Sequence, residues 1–356
     1  MAAEKNYQTV NKPFKVAVLS FELPSFACAL IRLIYPLRYL QTEVEFAWAV
    51  GFDGRQFHIH ARTLANADLV IVQRQFPCAA TAKMLQHVLS LGKPVIYETD
   101  DLLTDIPADN PIHHYTQQNR ALLIEFLARV NAITTSTEPL VQALSEYNKN
   151  VHLLPNLLDI SLWPKSRTAE TKDTIVLGFT GTPTHQHDLG LIEEALFRIA
   201  DMHRNRVAFV FMGCITERLR QLPHCTYQEF RPAYEEYTRI LPRLGIDIAV
   251  VPLLDIQFNH LKSDIKWLEY SACNIPGIFA DLPPYRNSIR HMETGMLAGY
   301  ALDPWVESLD RLIRDQELRA TMAAAARLEV QSKHSLQCKA VQYLHVYRSV
   351  LEQAKP

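Results

Sequence analysis

Residues 174–213, TIVLGFTGTPTHQHDLGLIEEALFRIADMHRNRVAFVFMG, decide the fold class. A short apolar run (174–181) reads as a buried strand, residues 188–204 carry a helical pattern, and a second apolar run (207–213) follows. Strand, polar turn, helix and strand in that order form the repeating unit of a parallel α/β sheet.

The same alternation extends in both directions. Upstream, strands are expected at 15–21, 44–50, 68–74, 93–99, 132–137 and 151–156, with helical patterns such as 81–92 and 119–130 between them. Downstream, strands are expected at 225–230, 246–253 and 276–281, and helices at 232–245, 264–273 and 307–331. Residues 164–173 are polar and lack apolar periodicity, which marks a linker. The expected fold class is therefore α/β, with two tandem doubly wound Rossmann-like domains: an N-terminal unit over 1–163 and a C-terminal unit over 174–333. The helix expected within 334–356 has no strand after it and is free to cross back.

Composition excludes several classes. The chain has 356 residues, 48% hydrophobic and 21% charged, within the globular range. A formal charge of −2 supplies no bulk field for nucleic acid. The basic runs 12–15 and 198–206 are too sparse to alter that. Six dispersed cysteines form no CxxC or Cys/His cluster, so they read as small buried hydrophobes and no metal site is expected. The first residues lack the apolar core of a leader peptide, and no uncharged run approaches the roughly 18 residues of a membrane span. These features predict a cytoplasmic protein. The apolar stretch 21–40 contains Arg32 and Arg38, and reads as a buried helix with snorkelling arginines. A lipid-linked acceptor, with peripheral contact at the inner face of a membrane, would suit the same stretch.

Ligands of open α/β sheets bind beyond the carboxyl ends of strands, and two facing domains leave a cleft there. Two stretches meet this rule. In GFTGTPTHQHDL (178–189) the strand runs into Thr180, Gly181 and Thr182. These hydroxyls and amides can hold a phosphate; equally, the stretch can be an ordinary turn with Asp188 as N-cap. Neither a Walker loop nor a dinucleotide G-x-G-x-x-G is matched, which removes the support for a nicotinamide dehydrogenase.

The second stretch is SDIKWLEYSACNIPGIFADLPPY (263–285). Ser263 or Asp264 can cap the helix, leaving first-turn amides at its positive end, and Lys262 and Lys266 lie one turn apart. Two lysines and free amides suit a diphosphate. Glu269 shares the apolar face of Ile265, Leu268 and Ala272. A carboxylate there accepts hydroxyls from a ribose beside that diphosphate, or pairs with Lys262 or Lys266 on a solvated face.

Residues 258–298, with GFTGTPTHQHDL, VHLLPNLLDISLW (151–163) and KPVIYETDDLL (93–103), resemble family 4-like glycosyltransferases of the GT-B fold. The resemblance implies retaining transfer of a sugar from a UDP- or GDP-linked donor to a glycan or glycoconjugate, without a metal or other cofactor. It assigns donor binding to Thr180, Gly181, Thr182, Lys262, Ser263, Asp264, Ile265, Lys266 and Glu269, the last matching a ribose-binding glutamate. Lys262 and Lys266 stand in for a basic pair absent from the first turn. The family often carries a glutamate eight positions before Glu269, where this chain has Leu261. The slot of a histidine frequent in the family falls on Asp100, with Asp101 beside it. Asp100, Asp101 and Lys266 are therefore the expected catalytic groups, although the two aspartates can also simply cap the turn. His113, His114 and His185 are candidate sugar or acceptor contacts. The missing glutamate also supports another reading: a non-catalytic GT-B subunit that binds nucleotide or glycan and assists a partner enzyme.

Overall fold

The computed structural model describes residues 12–164 and 174–355. In the first half the strands are β1 (Phe14–Leu19), β2 (Val44–Trp48), β3 (Val50–Phe52), β4 (Phe57–Ile59), β5 (Leu69–Gln73), β6 (Val95–Thr99), β7 (Ala132–Thr135) and β8 (Val151–Leu153). In the second half they are β9 (Ile175–Thr180), β10 (Val207–Met212), β11 (Cys225–Gln228), β12 (Ile248–Val251), β13 (Gly277–Ala280) and β14 (Met296–Ala298). Two six-stranded sheets result, in the orders β2-β1-β5-β6-β7-β8 and β11-β10-β9-β12-β13-β14. Every pairing between neighbouring strands in them is parallel. Central strands such as β5, β6, β12 and β13 are buried along their whole length, which is why their sequences are dominated by apolar residues and do not alternate; the polar residues Gln73, Glu98 and Thr99 come only at the carboxyl ends of β5 and β6.

The Rossmann-like expectation holds for both halves, and the differences are local. The antiparallel hairpin β3–β4 and the edge strand β14 were not foreseen. Each of these strands is three residues long, too short to show a period. The helix expected over 307–331 is two helices, Leu302–Arg314 and Gln316–Lys333. They break at Asp315, whose carboxylate accepts the Leu318 N–H at 2.8 Å and caps the second. Residues 165–173 of the expected linker lie outside the described residues. Among the described residues, no helix is long and apolar enough to cross a membrane.

The terminal helix Val341–Gln353 does cross back to the first half. Tyr343 donates its hydroxyl to the Pro155 carbonyl at 3.2 Å, and Arg348 pairs with Glu43. Loop residues join the halves elsewhere. Leu261 is buried in the hydrophobic cluster of the first half, and its carbonyl accepts Thr137 Oγ1 at 2.8 Å. The Tyr234 N–H donates to the Ser25 carbonyl at 2.9 Å.

Arg32 departs from the snorkelling expectation: it is 1% exposed, within a π-helical turn, Leu30–Ile34. Arg32 Nε donates to Glu98 Oε1 at 2.7 Å. Gln73 holds the other Glu98 oxygen at 3.0 Å and accepts the Ser20 hydroxyl at 2.8 Å. Arg32 Nη1 reaches Asn156 Oδ1 at 3.0 Å, and Asn156 Nδ2 donates to Ser263 Oγ at 2.9 Å. A line of buried polar contacts thus runs from β1 to the loop before the lysine-bearing helix. The sign of its contribution depends on keeping both charges, because one left unpaired in the core is the costly state. Glu98→Ala is expected to destabilise the protein by about 3–5 kcal/mol, read as a fall in the urea midpoint, and a combined Arg32→Met/Glu98→Leu change to recover most of it.

Candidate active site

Between the two sheets three adjoining cavities form one cleft. The central cavity, about 220 Å³, is lined by Cys28, Asp100, Asp101 and Asn156 from the first half and by Lys262, Ser263, Ile265, Lys266 and Glu269 from the second. A second, about 260 Å³, shares Lys266 and Glu269 and continues past Gly181, Thr182, Met212, Phe230 and Arg231. A third, about 300 Å³, shares His185 and Lys262 and opens toward Asp109 and Pro111. The cleft lies at the carboxyl ends of β1, β6, β9, β10 and β12, where residues following a buried strand must leave the sheet.

Glu269 is 3% exposed and sits on the helix Ile265–Ala272. Its oxygens accept Tyr234 Oη and Tyr237 Oη, each at 3.0 Å, and Lys266 Nζ at 2.9 Å. The expected ion pair with Lys266 therefore exists, but inside the protein and not on a solvated face. A carboxylate offers about four lone-pair positions, so one on Oε1 remains for a ligand hydroxyl. Burial, and then the neighbouring carboxylate, hold both phenols well above the usual tyrosine range, so they remain donors.

This cluster also explains why Thr180 leaves the expected donor site. The Thr180 amide donates to Tyr270 Oη at 2.7 Å, and the Thr180 hydroxyl lies 3.0 Å from Tyr270 Oη and 2.8 Å from Tyr237 Oη. With Tyr237 donating to Glu269, the Thr180 hydroxyl donates to Tyr237 and accepts from Tyr270. It is wholly consumed in the core. Gly181 and Thr182, one and two residues on, reach the second cavity.

Asp264 occupies the N-cap position of the lysine-bearing helix, but its side chain makes no cap. Its carboxylate accepts Ser288 Oγ at 2.6 Å, and Asp264 lines a neighbouring cavity that shares Lys262 and Ser263 with the central one, so its side chain is absent from the lining of the donor site. The first-turn amides keep no side-chain acceptor. Lys262 lies over the Phe258 ring at 4.9 Å and Lys266 over Tyr237 at 5.4 Å, which steadies both stems.

Asp188 is not the N-cap of its helix, Gln186–Gly190; it lies within it, 5% exposed. Its Oδ1 accepts the Leu254 N–H and its Oδ2 faces His185 Nδ1, both at 2.8 Å. With Nδ1 donating to this carboxylate, Nε2 is the free acceptor. Burial lowers the His185 pKa from 6.5 against the pull of Asp188, so the ring is a neutral base at the junction of two cavities. His113 and His114 are used elsewhere: one meets the Ile106 carbonyl at 2.7 Å at the start of its own helix, the other pairs with Gln118 at 2.7 Å on the exposed face.

Asp100 and Asp101 line the central cavity, as one of the two readings required. Both pair with Arg74 Nη1, Asp101 at 3.1 Å, and Glu22 meets Arg74 Nε at 3.2 Å. Arg74 holds a left-handed backbone, φ 50°, directly beyond β5, which tucks its guanidinium behind the carboxylates. Burial opposes ionisation of Asp100, but Arg74 and then Arg32 outweigh it and keep that carboxyl below its usual range.

Sequence reasoning missed Glu22, Arg74, Tyr234 and Tyr237. The rule that sites form beyond strand ends nominates Glu22 and Arg74, which follow β1 and β5. The tyrosines offered only an i, i+3 spacing on a short helix.

No family model and no curated protein matches this chain. Solved structures do. Sucrose-phosphate synthase from Thermosynechococcus elongatus superposes with a TM-score of 0.66 at 12% identity, over 96% of this chain and 100% of that one. HepE from Anabaena, solved with UDP and glucose, gives 0.64 at 13%, over 95% and 99%. The fold is GT-B. A putative UDP-N-acetylglucosamine 2-epimerase from Listeria monocytogenes is also similar, with a TM-score of 0.58 at 13% identity over 96% of this chain and 97% of that one. A GT-B architecture thus carries more than one chemistry, and the side chains of the cleft must decide between them.

The lowered His185 pKa has a definite sign. On acidification the unfolded chain takes up this proton first, so stability falls as the pH drops below about 6.5 and stops falling for this group once its folded value is passed. Urea midpoints between about pH 7 and pH 5 are expected to decline less steeply for His185→Gln than for the native chain.

Proposed function

We propose that this GT-B protein is a retaining glycosyltransferase of the family 4-like type, moving a hexosyl group from a UDP- or GDP-linked donor to a glycan or glycoconjugate acceptor. The observation that carries the reading is the junction of the central and second lobes of the cleft at Lys266 and Glu269, beside a helix start without a side-chain cap. Departure of a nucleoside diphosphate builds negative charge on its terminal phosphate. Lys262, Lys266 and the first-turn amides offset that charge without a metal, the electrostatic contribution that usually dominates such steps. Glu269 accepts one ribose hydroxyl through Oε1. The base then extends past Gly181 toward Phe230, and the UDP named in the Anabaena structure supports a uridine donor.

In this reading the C-terminal unit, 174–333, holds the donor, and the N-terminal unit, 1–163, faces the acceptor. Asp100 and Asp101, pinned by Arg74, act as fixed acceptors for an incoming hydroxyl. His185 offers a neutral nitrogen beside the phosphate. The reaction belongs to the assembly of surface polysaccharides or glycolipids at the cytoplasmic side of a membrane, where peripheral contact brings the acceptor to the cleft.

Leu261 favours a second reading. It plugs the core of the first half where the resembling enzymes often place a sugar-contacting glutamate, as expected of a GT-B subunit that binds nucleotide without turnover. The assays separate these readings. Calorimetry with UDP and GDP is expected to show binding of one of them, and release of that nucleotide from UDP-glucose, UDP-N-acetylglucosamine or GDP-mannose should fall about 10²-fold or more in Lys266→Ala and Glu269→Ala. Binding with no release from any donor favours the non-catalytic subunit, and full turnover in both variants refutes the site.

A further inference from the structure

The cleft is electrically divided. On one side stand Lys262 and Lys266; on the other, Asp100 and Asp101 at the central cavity and Glu22 at the adjoining end of the second share the single guanidinium of Arg74. The Arg74 side chain is 9% exposed, whereas those of Glu22, Asp100 and Asp101 are 17%, 19% and 25% exposed. A ligand therefore meets the anionic rim before the cation behind it. The other charged groups do not cancel this excess. Arg32 is consumed by Glu98, Lys266 already balances Glu269, and Arg231 in the second cavity faces Glu236 at 3.8 Å. His185 is neutral, and burial, then Asp100, keep the Cys28 thiol protonated. Crowding is visible in Glu22, whose pKa rises chiefly through burial, with Asp100 and Asp101 adding to the shift against the pull of Arg74.

Resting on the donor reading above, we infer that the acceptor is a neutral or amine-bearing polyol and that sugar phosphates and uronates are rejected by the Glu22–Asp100–Asp101 rim. A bound diphosphate strengthens the bias. It occupies the two lysines and adds its own negative charge, so an anionic second substrate enters against both. Hydroxyls donate well to fixed carboxylates, and an ammonium does so with charge assistance. Discrimination of this kind comes from the repulsive element as much as from the attractive one.

Saturation-transfer NMR on the full chain, with and without UDP, tests the inference with glucose, glucosamine and glucose 6-phosphate as probes. Glucose 6-phosphate is expected to bind at least about tenfold more weakly than glucose, with the gap narrowing as salt rises from about 0.05 to 0.5 M. Asp101→Asn and Glu22→Gln are each expected to improve the binding of glucose 6-phosphate relative to glucose, with thermal melts verifying that the variants are folded. Glucose 6-phosphate binding as well as glucose, or none of the three binding in either state, overturns the inference. The nucleotide-free arm keeps the comparison valid if neither UDP nor GDP binds, an outcome that sinks the donor reading alone.

Discussion

A carboxylate buried at 3% exposure has to be surrounded by donors, and the donors around Glu269 organise the second half of this protein. Tyr234 and Tyr237 come from the helix Tyr234–Ile240, Lys266 from Glu269's own helix, and Tyr237 is tied through Thr180 to the end of β9. Trp163, in the segment leaving the first half, packs edge-on against both tyrosines, with ring centroids 5.8 and 6.0 Å apart. A strand end, two helices and the segment leaving the first sheet thus converge on one charge. The arrangement leaves Lys266 at the cavity wall and a single acceptor position open, so the same contacts that satisfy the buried charge shape the polar end of the cleft.

The first half solves a parallel problem with Arg32 and Glu98. Each Glu98 oxygen accepts one donor, whereas Arg32 Nη2 has no hydrogen-bond partner among the described residues. The link from Arg32 through Asn156 to Ser263 makes the position of the lysine-bearing loop depend on the interior of the opposite sheet. Leu261, two residues before Ser263, adds an apolar contact. The cleft geometry is consequently a property of both halves, and the loop between β12 and the helix Ile265–Ala272 is where they meet.

Much of the architecture was legible in the chain. Parallel strands covered on both faces are continuous apolar runs, and eleven of the fourteen strands carry that signal or sit in its repeat. The three missed, β3, β4 and β14, are each three residues long and lie at edges; β8, equally short, sits in the repeat. Within the site, Glu269 was legible because a charged residue on an apolar helix face has few bland explanations, and Lys262 and Lys266 because they lie one turn apart at a helix start. Gly181 and Thr182 followed from the strand-end rule. Thr180 and Asp264 were not separable from their neighbours by that rule: whether a hydroxyl or carboxylate at a strand or helix end faces the cavity depends on which partners lie behind it. Tyr270 behind Thr180 and Ser288 behind Asp264 are distant in sequence.

The alternation of short apolar runs with helix-period segments determined two doubly wound sheets, because backbone hydrogen bonding and burial of both sheet faces leave few other solutions. The chain also placed an acidic side chain on an apolar helix face close to two lysines. Only the tertiary structure decided what that side chain would meet, which charges would share one guanidinium, and that Arg32 would pair inside the core and not reach for solvent. Those outcomes rest on contacts between residues tens to hundreds of positions apart, where local period and propensity hold no information and packing alone sets the partner.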